Sequence, residues 1–497
     1  MLAAVKTRLV RNQSVINVGF RFLAQIVAQV GNFLLFPLLA RNLGTEGFGV
    51  QTQLNAINGV LLPIATLGLG FSVVRLIAGK DDVGYISARF LSTLLLATSV
   101  ACALGAGVFV AAPILNDLFI KVEWATSVIR LSAVMLVVMT VERVLKDYYR
   151  ARMRIVAYSV FEMVQTALLV VGIVLVFQAD GGLWEVLVVW IGIKAGLMVA
   201  LVAYFRWLGE IRLRSALMPW AELLEMVRFG IPVVTMGLSM WVIGLGDRAV
   251  IGYYMDASSV GVYGSAYTLA GLLGALATAF WGPMYPLMAK HKNNGDVPRL
   301  MGVCRRYTNA YLVIGLPALV GLTVLSAQIL RILGSADFVI HPALFGLIAL
   351  GLFSDQVSAT PYYLIYLHNE PQVIRNVTVF TALVNMVLNV IMVPRLGIWG
   401  SALATLITYG AQDILLARRV VFYGYRLRDV YSLQKIGKLT AVALAMGGVL
   451  LLLQNQFVND SLGVLLLLVV VGGGVYGVML MALNRFQFNN LLQALTE

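Results

Sequence analysis

Long stretches of the chain contain no Asp, Glu, Lys or Arg. They run over 22–40, 47–74, 90–116, 163–179, 229–246, 257–289, 307–330, 338–354, 376–394, 396–412, 439–459 and 461–484. Each matches the roughly 20 residues that carry a helix across about 30 Å of hydrocarbon. Two more apolar segments, about 125–147 and 183–207, are interrupted by Arg130 and Lys194. The pattern predicts an all-α polytopic membrane protein with fourteen transmembrane helices. The first span is too long for a signal peptide and has no small-residue cleavage site after it. The outer loops are short, for example 41–46 and 179–182.

Composition agrees with a lipid solvent. The 497 residues are 60% apolar and 12% charged, against roughly 25% charged in soluble domains. The net charge of +13 would hint at nucleic acid in a soluble chain. Here its placement explains it. With a cytoplasmic N-terminus and alternating spans, 29 of the 36 Lys and Arg fall on inner segments and four on outer ones, Arg41, Lys121, Arg331 and Arg395. That asymmetry is the positive-inside signature. It predicts a membrane protein with both termini cytoplasmic and no nucleic-acid partner. Cys102, in an apolar run, and Cys304, in an expected basic loop, have no metal or redox spacing, and no disulfide is expected.

A shift of 215 residues superposes several features. Phe48-Gly49 falls on Tyr263-Gly264, and Gly182-Leu183-Trp184 on Gly397-Ile398-Trp399. The uncharged run 90–116 maps onto 305–331, and Tyr148-Tyr149 falls within one residue of Tyr362-Tyr363. The repeat predicts two pseudo-symmetric six-helix lobes, 1–215 and 216–430, with two appended helices in 431–497. An even number of spans inserts both lobes in the same orientation, the arrangement of transporters that rock about a site between their halves.

Several motifs carry a resemblance. Phe36-Pro37-Leu38-Leu39-Ala40-Arg41-Asn42-Leu43-Gly44, ending at Phe48-Gly49, resembles the first outer loop of Wzx-type oligosaccharide flippases. Arg228-Phe229-Gly230-Ile231-Pro232 resembles the entry to their seventh helix. Asp247-Arg248-Ala249-Val250-Ile251-Gly252, followed by Gly261-Val262-Tyr263, resembles its exit and the start of the eighth. Pro394-Arg395-Leu396-Gly397-Ile398-Trp399-Gly400 fits the turn from eleventh to twelfth. That family belongs to the multidrug/oligosaccharidyl-lipid/polysaccharide (MOP) exporter superfamily. The resemblance implies a flippase moving a polyprenyl-pyrophosphate-linked oligosaccharide repeat unit from the cytoplasmic to the periplasmic leaflet, in exopolysaccharide, capsule or O-antigen synthesis. Membrane lipid, and polysaccharide polymerase machinery, would be its surroundings and partners.

Such a cargo needs a wet cationic cavity, and polar stripes at helical spacing are its signature. Span 1 carries Asn17, Arg21, Gln25, Gln29 and Asn32 on one face. Span 2 carries Gln51, Asn55 and Asn58, and span 5 Tyr158, Glu162 and Gln165. Span 10 carries Asp355, Ser358, Tyr362 and Tyr366, and span 11 Thr378, Thr381, Asn385 and Asn389. Unpaired polar groups are expensive in hydrocarbon, so these stripes line a cavity or join helices by hydrogen bonds. Gln25, Gln29, Asn32, Asn55, Tyr362 and Asn385 are the expected lining.

Arg21, Lys194 and Arg248 are the candidate pyrophosphate cations, since guanidinium and ammonium groups suit phosphate. Asp247 and Arg248 are adjacent, so a helix should not pair them. Glu162, Asp247 and Asp355 suit H⁺ or Na⁺ coupling, or pairing with those cations. Glu142 is expected at the interface, bonded to Lys146 at i,i+4. Without a Walker A pattern, no ATP hydrolysis and no cofactor is expected, and an ion gradient or the membrane potential would drive transport.

Two rivals share the fold: a multidrug-and-toxin-extrusion exporter, which wants an acidic cavity, and a lipid II flippase. An enzyme is disfavoured, because the outer loops are short and His291, His341 and His368 form no catalytic set.

Overall fold

The computed structural model describes the backbone of residues 2–212, 215–457 and 461–483, and all of their side chains except those of 2–19, 21–26, 32, 155 and 483. Every regular element among the described residues is helical. In chain order the α-helices are α1 (Leu2–Thr66), α2 (Leu69–Ile77), α3 (Val83–Leu115), α4 (Ala125–Ala151), α5 (Ile155–Gln178), α6 (Leu183–Trp207), α7 (Trp220–Trp241), α8 (Asp247–Tyr254) and α9 (Ala257–Ala270). Then come α10 (Leu272–Asn293), α11 (Val297–Leu333), α12 (Pro342–Val357), α13 (Ala359–Leu367), α14 (Pro371–Leu396), α15 (Ile398–Phe422), α16 (Leu433–Gln454) and α17 (Leu462–Leu483).

Ten helical stretches among the described residues are long and apolar enough to cross a membrane, and eleven if the bent pair Val27–Thr66 and Leu69–Ile77 makes one span. Their apolar side chains point outward as well as inward. Along α17, Leu462, Leu466, Leu467, Val469 and Val470 are all exposed. Water would not tolerate so large an apolar patch, whereas lipid solvates it.

The chain folds as two compact units. One comprises Met1–Trp241 with Asp256–Ser258, the other Val242–Met255 with Ser259–Glu497. The expected loop at 41–46 is a kink inside α1, where Gly44 alone leaves helical geometry at φ +67°. Glycine tolerates that left-handed φ without a Cβ penalty. A second break separates α1 from α2, where Leu67 and Gly68 both have positive φ. Here the backbone of α7 presses in. A Cβ on Gly230 would lie 2.1 Å from the Leu67 carbonyl oxygen, and one on Gly68 2.4 Å from that of Gly230. The glycine of the Arg228–Pro232 motif is therefore where two main chains touch.

The first unit has a core at each end. At one end Leu69, Val73, Ile86, Phe90, Tyr148, Tyr149 and Phe205 pack together, with Tyr148 wedged 4.7 Å from Phe90 and 4.9 Å from Phe205. The turns there are tied by polar bonds. Arg152 donates to the Lys80 carbonyl at 2.9 Å, Arg154 Nε to Glu210 at 3.1 Å, and the Arg212 amide to Ser87 at 2.9 Å. At the other end Val50, Leu54, Ile120, Val128 and Leu183 pack, and Trp124 donates to Glu46 at 3.2 Å.

In the second unit, three turns expected on one membrane face also meet, through Lys292, His368 and Tyr425. Cys304, expected in a loop, is buried in α11 instead. Asp296 caps that helix by accepting from the Arg299 amide, and a proline follows in its first turn. This strong start signal begins the helix well before the uncharged run. Both cysteines are free.

Candidate functional site

The first unit holds a closed ionic network. Lys194 on α6 donates to Glu142 of α4 at 2.5 Å and lies 4.2 Å from the Trp190 ring centroid. Lys146 pairs with the same carboxylate at 2.9 Å and reaches Glu162 of α5 at 3.5 Å. Gln165 donates to Glu142 at 2.9 Å, and Tyr158 to Glu162 at 2.8 Å. The expected i,i+4 pair of Glu142 and Lys146 is present. Glu142 is 5% exposed, so its carboxylate faces the protein interior. A carboxylate buried among apolar helices needs compensating charge, and two lysines supply it. Lys194 and Glu162 are thus already charge-compensated in this conformation.

Arg248 and Asp247 are both buried. The guanidinium donates to Asp247 at 2.7 Å and to the Gly244 carbonyl at 2.5 Å, and it lies 4.0 Å from the Tyr267 ring centroid. Neighbours on a helix were not expected to pair. They do because Val242–Gly246 forms a turn of π-helix and Asp247 is the first residue of α8. The long arginine side chain folds back across that irregular start.

In the second unit, Asp355 accepts from Gln356 at 2.9 Å and Gln412 at 3.3 Å. Asp413, on α15, accepts from the hydroxyls of Ser354 and Ser358. The α14 stripe faces α15. Thr381 donates to Gln412 at 3.3 Å, and Asn385, 1% exposed, to Thr408 at 3.1 Å. Of the two uses open to such a stripe, Asn385 here serves helix joining. Tyr362 is half-buried, 3.2 Å from the Thr378 hydroxyl. Asn55 is exposed and within 3.5 Å of Gln51, and Gln29 is half-buried. The side chains of Arg21, Gln25 and Asn32 lie outside those described.

A cavity of about 230 Å³ opens in the first unit. The α1–α2 break, α4 and α7 enclose it. Its wall is apolar (Leu62, Pro63, Phe71, Val233, Val234), and its polar groups are Thr66, Arg143 and Asp147. In the charge pattern Arg143 is one of the inner-segment cations. Nothing local marks it, because three separate elements make the cavity.

Outside the spans, His368 stacks on Tyr423 at 4.0 Å, while its Nε2 lies 3.1 Å from both Lys292 Nζ and the Tyr425 hydroxyl. Burial, and then the Lys292 charge, hold its pKa below the ordinary 6.5. Glu370 beside it is lowered by its hydrogen bonds from Arg419 and Tyr423.

Residues 38–339, well over half of the chain, match the family described as "Polysaccharide biosynthesis protein". The chain belongs to that family. Among curated proteins, this family member is 24% identical over 204 residues to "Probable low-salt glycan biosynthesis flippase Agl15" of Haloferax volcanii, covering 41% of this chain and 43% of the relative. It is 24% identical over 253 residues to "Probable flippase AglR" of the same organism, covering 50% and 52%. The chain thus spans about half the length of the curated relatives it matches.

Its fold is that of "Lipid II flippase MurJ, inward closed conformation", with TM-score 0.73, 15% identity, and 95% and 100% coverage of the two chains. An inward-facing MATE-family multidrug transporter of the MOP superfamily follows at TM-score 0.66, with 16% identity and 82% and 98% coverage. Both curated relatives carry flippase names, and the two solved neighbours are a flippase and a transporter.

Proposed function

We propose that this family member flips a polyprenyl-pyrophosphate-linked oligosaccharide repeat unit from the cytoplasmic to the outer leaflet by alternating access. The observation that carries this reading is the match of residues 38–339 to the polysaccharide biosynthesis family. The flippase names of both curated relatives support it. Fourteen spans, two six-helix lobes (1–215 and 216–430), appended helices in 431–497 and cytoplasmic termini belong to the same reading. They are supported by the clustering of cations on alternate segments.

Arg21 contributes positive potential to the path, and Lys194 and Arg248 do so once their partners Glu142 and Asp247 are drawn away. H⁺ or Na⁺ coupling runs through Asp355, with Asp247 and Glu162 as further acids, and no cofactor takes part. Asp355 is favoured because its recorded partners are neutral amides, which leave a carboxylate charge for a cation to meet.

The test is depletion followed by mass spectrometry of polyprenyl-linked intermediates. Build-up of one complete lipid-linked repeat unit, with loss of its polymer, is expected. Build-up of lipid II would redirect the assignment to that cargo. No build-up, with raised sensitivity to cationic dyes, would overturn the reading in favour of a drug exporter.

A further inference from the structure

The ionic groups just described are largely consumed within the protein. Lys194 is held by Glu142, and Arg248 by Asp247. Arg143 differs. Its side chain is 51% exposed, its nearest recorded carboxylate, Asp147, is 3.8 Å away, and it lines the cavity of the first unit.

Asp147 also lines that cavity and should repel an anion. Two contacts blunt it. Arg150 bonds it from one turn further along α4, and the side chain of Asp147 is only 4% exposed. The Asp147 carboxylate also lies against Gly70, where a Cβ would come within 1.8 Å of its Oδ2. The Arg143, Asp147 and Arg150 trio therefore keeps one net positive charge, and Arg143 is the member both exposed and on the cavity wall. Arg75, exposed, stands one turn beyond the wall residue Phe71.

The cavity also has a size and a depth. Arg143 precedes the α4 terminus at Ala151 by eight residues, about 12 Å at 1.5 Å per residue. An arginine so placed reaches the border of headgroup and hydrocarbon. A volume of about 230 Å³ falls below the roughly 300–1,000 Å³ of sites that enclose a drug-sized ligand. An oligosaccharide does not fit. A phosphate or pyrophosphate with the first carbons of its lipid chain does, against Leu62, Pro63, Phe71, Val233 and Val234.

We infer that this cavity seats the phosphate end of the lipid carrier, with Arg143 on the phosphate oxygens and the first chain carbons on the apolar wall. The inference rests on the flippase reading and deepens it. It divides the cargo: the anion and first carbons are held in the first unit, and the glycan stays outside the cavity.

The test titrates the purified full-length protein, in detergent, with farnesyl pyrophosphate by calorimetry. Inorganic pyrophosphate and farnesol are the comparison ligands. Wild type should bind farnesyl pyrophosphate at least tenfold more tightly than either comparison ligand. Arg143→Ala should weaken it tenfold or more and Arg143→Lys by less, since lysine keeps the charge and loses the bidentate fork. Val234→Phe, which fills the cavity without touching a charge, should weaken it as well. It carries the test should Arg143→Ala melt early.

Equal affinity in wild type and Arg143→Ala would overturn the assignment of Arg143. Undiminished binding in Val234→Phe would overturn the cavity. Inorganic pyrophosphate binding as tightly as the prenyl ester would overturn the lipid occupant in favour of a free anion. No binding by wild type also overturns the inference. The flippase reading is judged apart from all of these, by the accumulated intermediates.

Discussion

Lys194 Nζ lies 2.5 Å from Glu142 Oε2, joining helices α6 and α4 across 52 residues of sequence. Both side chains are buried, at 11% and 7% exposure. Removing one partner of a buried pair leaves an uncompensated charge, at a cost of about 3–5 kcal/mol. Glu142→Ala and Lys194→Ala should each lower the thermal midpoint in detergent. Glu142→Gln with Lys194→Met should recover most of that loss. Additive losses in the double-mutant cycle would show that the two groups are not coupled.

Gly230 should be irreplaceable. An alanine there places its Cβ 2.1 Å from the Leu67 carbonyl oxygen, and overpacking against backbone costs about 1–3 kcal/mol or more. Gly230→Ala should express poorly or melt early. Gly282→Ala is the control, since nothing lies within 4 Å of its Cβ. It should be neutral or slightly stabilising. Equal melting of both variants would remove the close contact as the cause.

Asp355→Asn keeps side-chain size and one acceptor oxygen, and its new amide nitrogen can donate to Gln356 once that amide turns its oxygen inward, so it should fold. It removes the charge that a coupling cation would meet. Transport in vesicles should slow tenfold or more and lose its dependence on pH or Na⁺. An unchanged ion dependence would take Asp355 out of coupling.

His368 gives a pH signature. Its imidazole titrates below the ordinary 6.5 because of burial and Lys292. A base with a lowered folded pKa contributes stability that is complete above the unfolded value and is lost as pH falls below it through the folded pKa. The facing groups are Lys292, Tyr423, Tyr425, Glu370 and Arg419. Melting between pH 8 and pH 5 should show a decline below about pH 6.5 that is smaller in His368→Gln. The same decline in both would assign it to other groups.

Much of the fold could be read from charge-free runs, because hydrocarbon punishes a misplaced charge more severely than water does. The internal breaks could not. The α1–α2 break falls at Leu67–Gly68, where Gly230 of α7, far along the sequence, presses on the chain. The stripe Thr378, Thr381, Asn385 and Asn389 was legible as a polar face. Its neighbour was not, since spacing specifies a face and says nothing about what covers it; Thr408 does. Spacing also argued against Asp247 with Arg248, and an irregular helix start reversed it. Arg143 stayed hidden because its cavity is a product of tertiary structure, not of any segment.

The network of Glu142, Glu162, Lys146 and Lys194 has an electrical corollary. With all four ionised its formal charge is zero. A displaced unit charge exchanges about 2.3 kcal/mol with a 100 mV membrane potential, but a neutral quartet moving as one body exchanges none. The quartet itself can shift along the field without acting as a voltage sensor. Any voltage dependence of turnover then comes from charges outside the quartet, the bound anion and its accompanying ion among them.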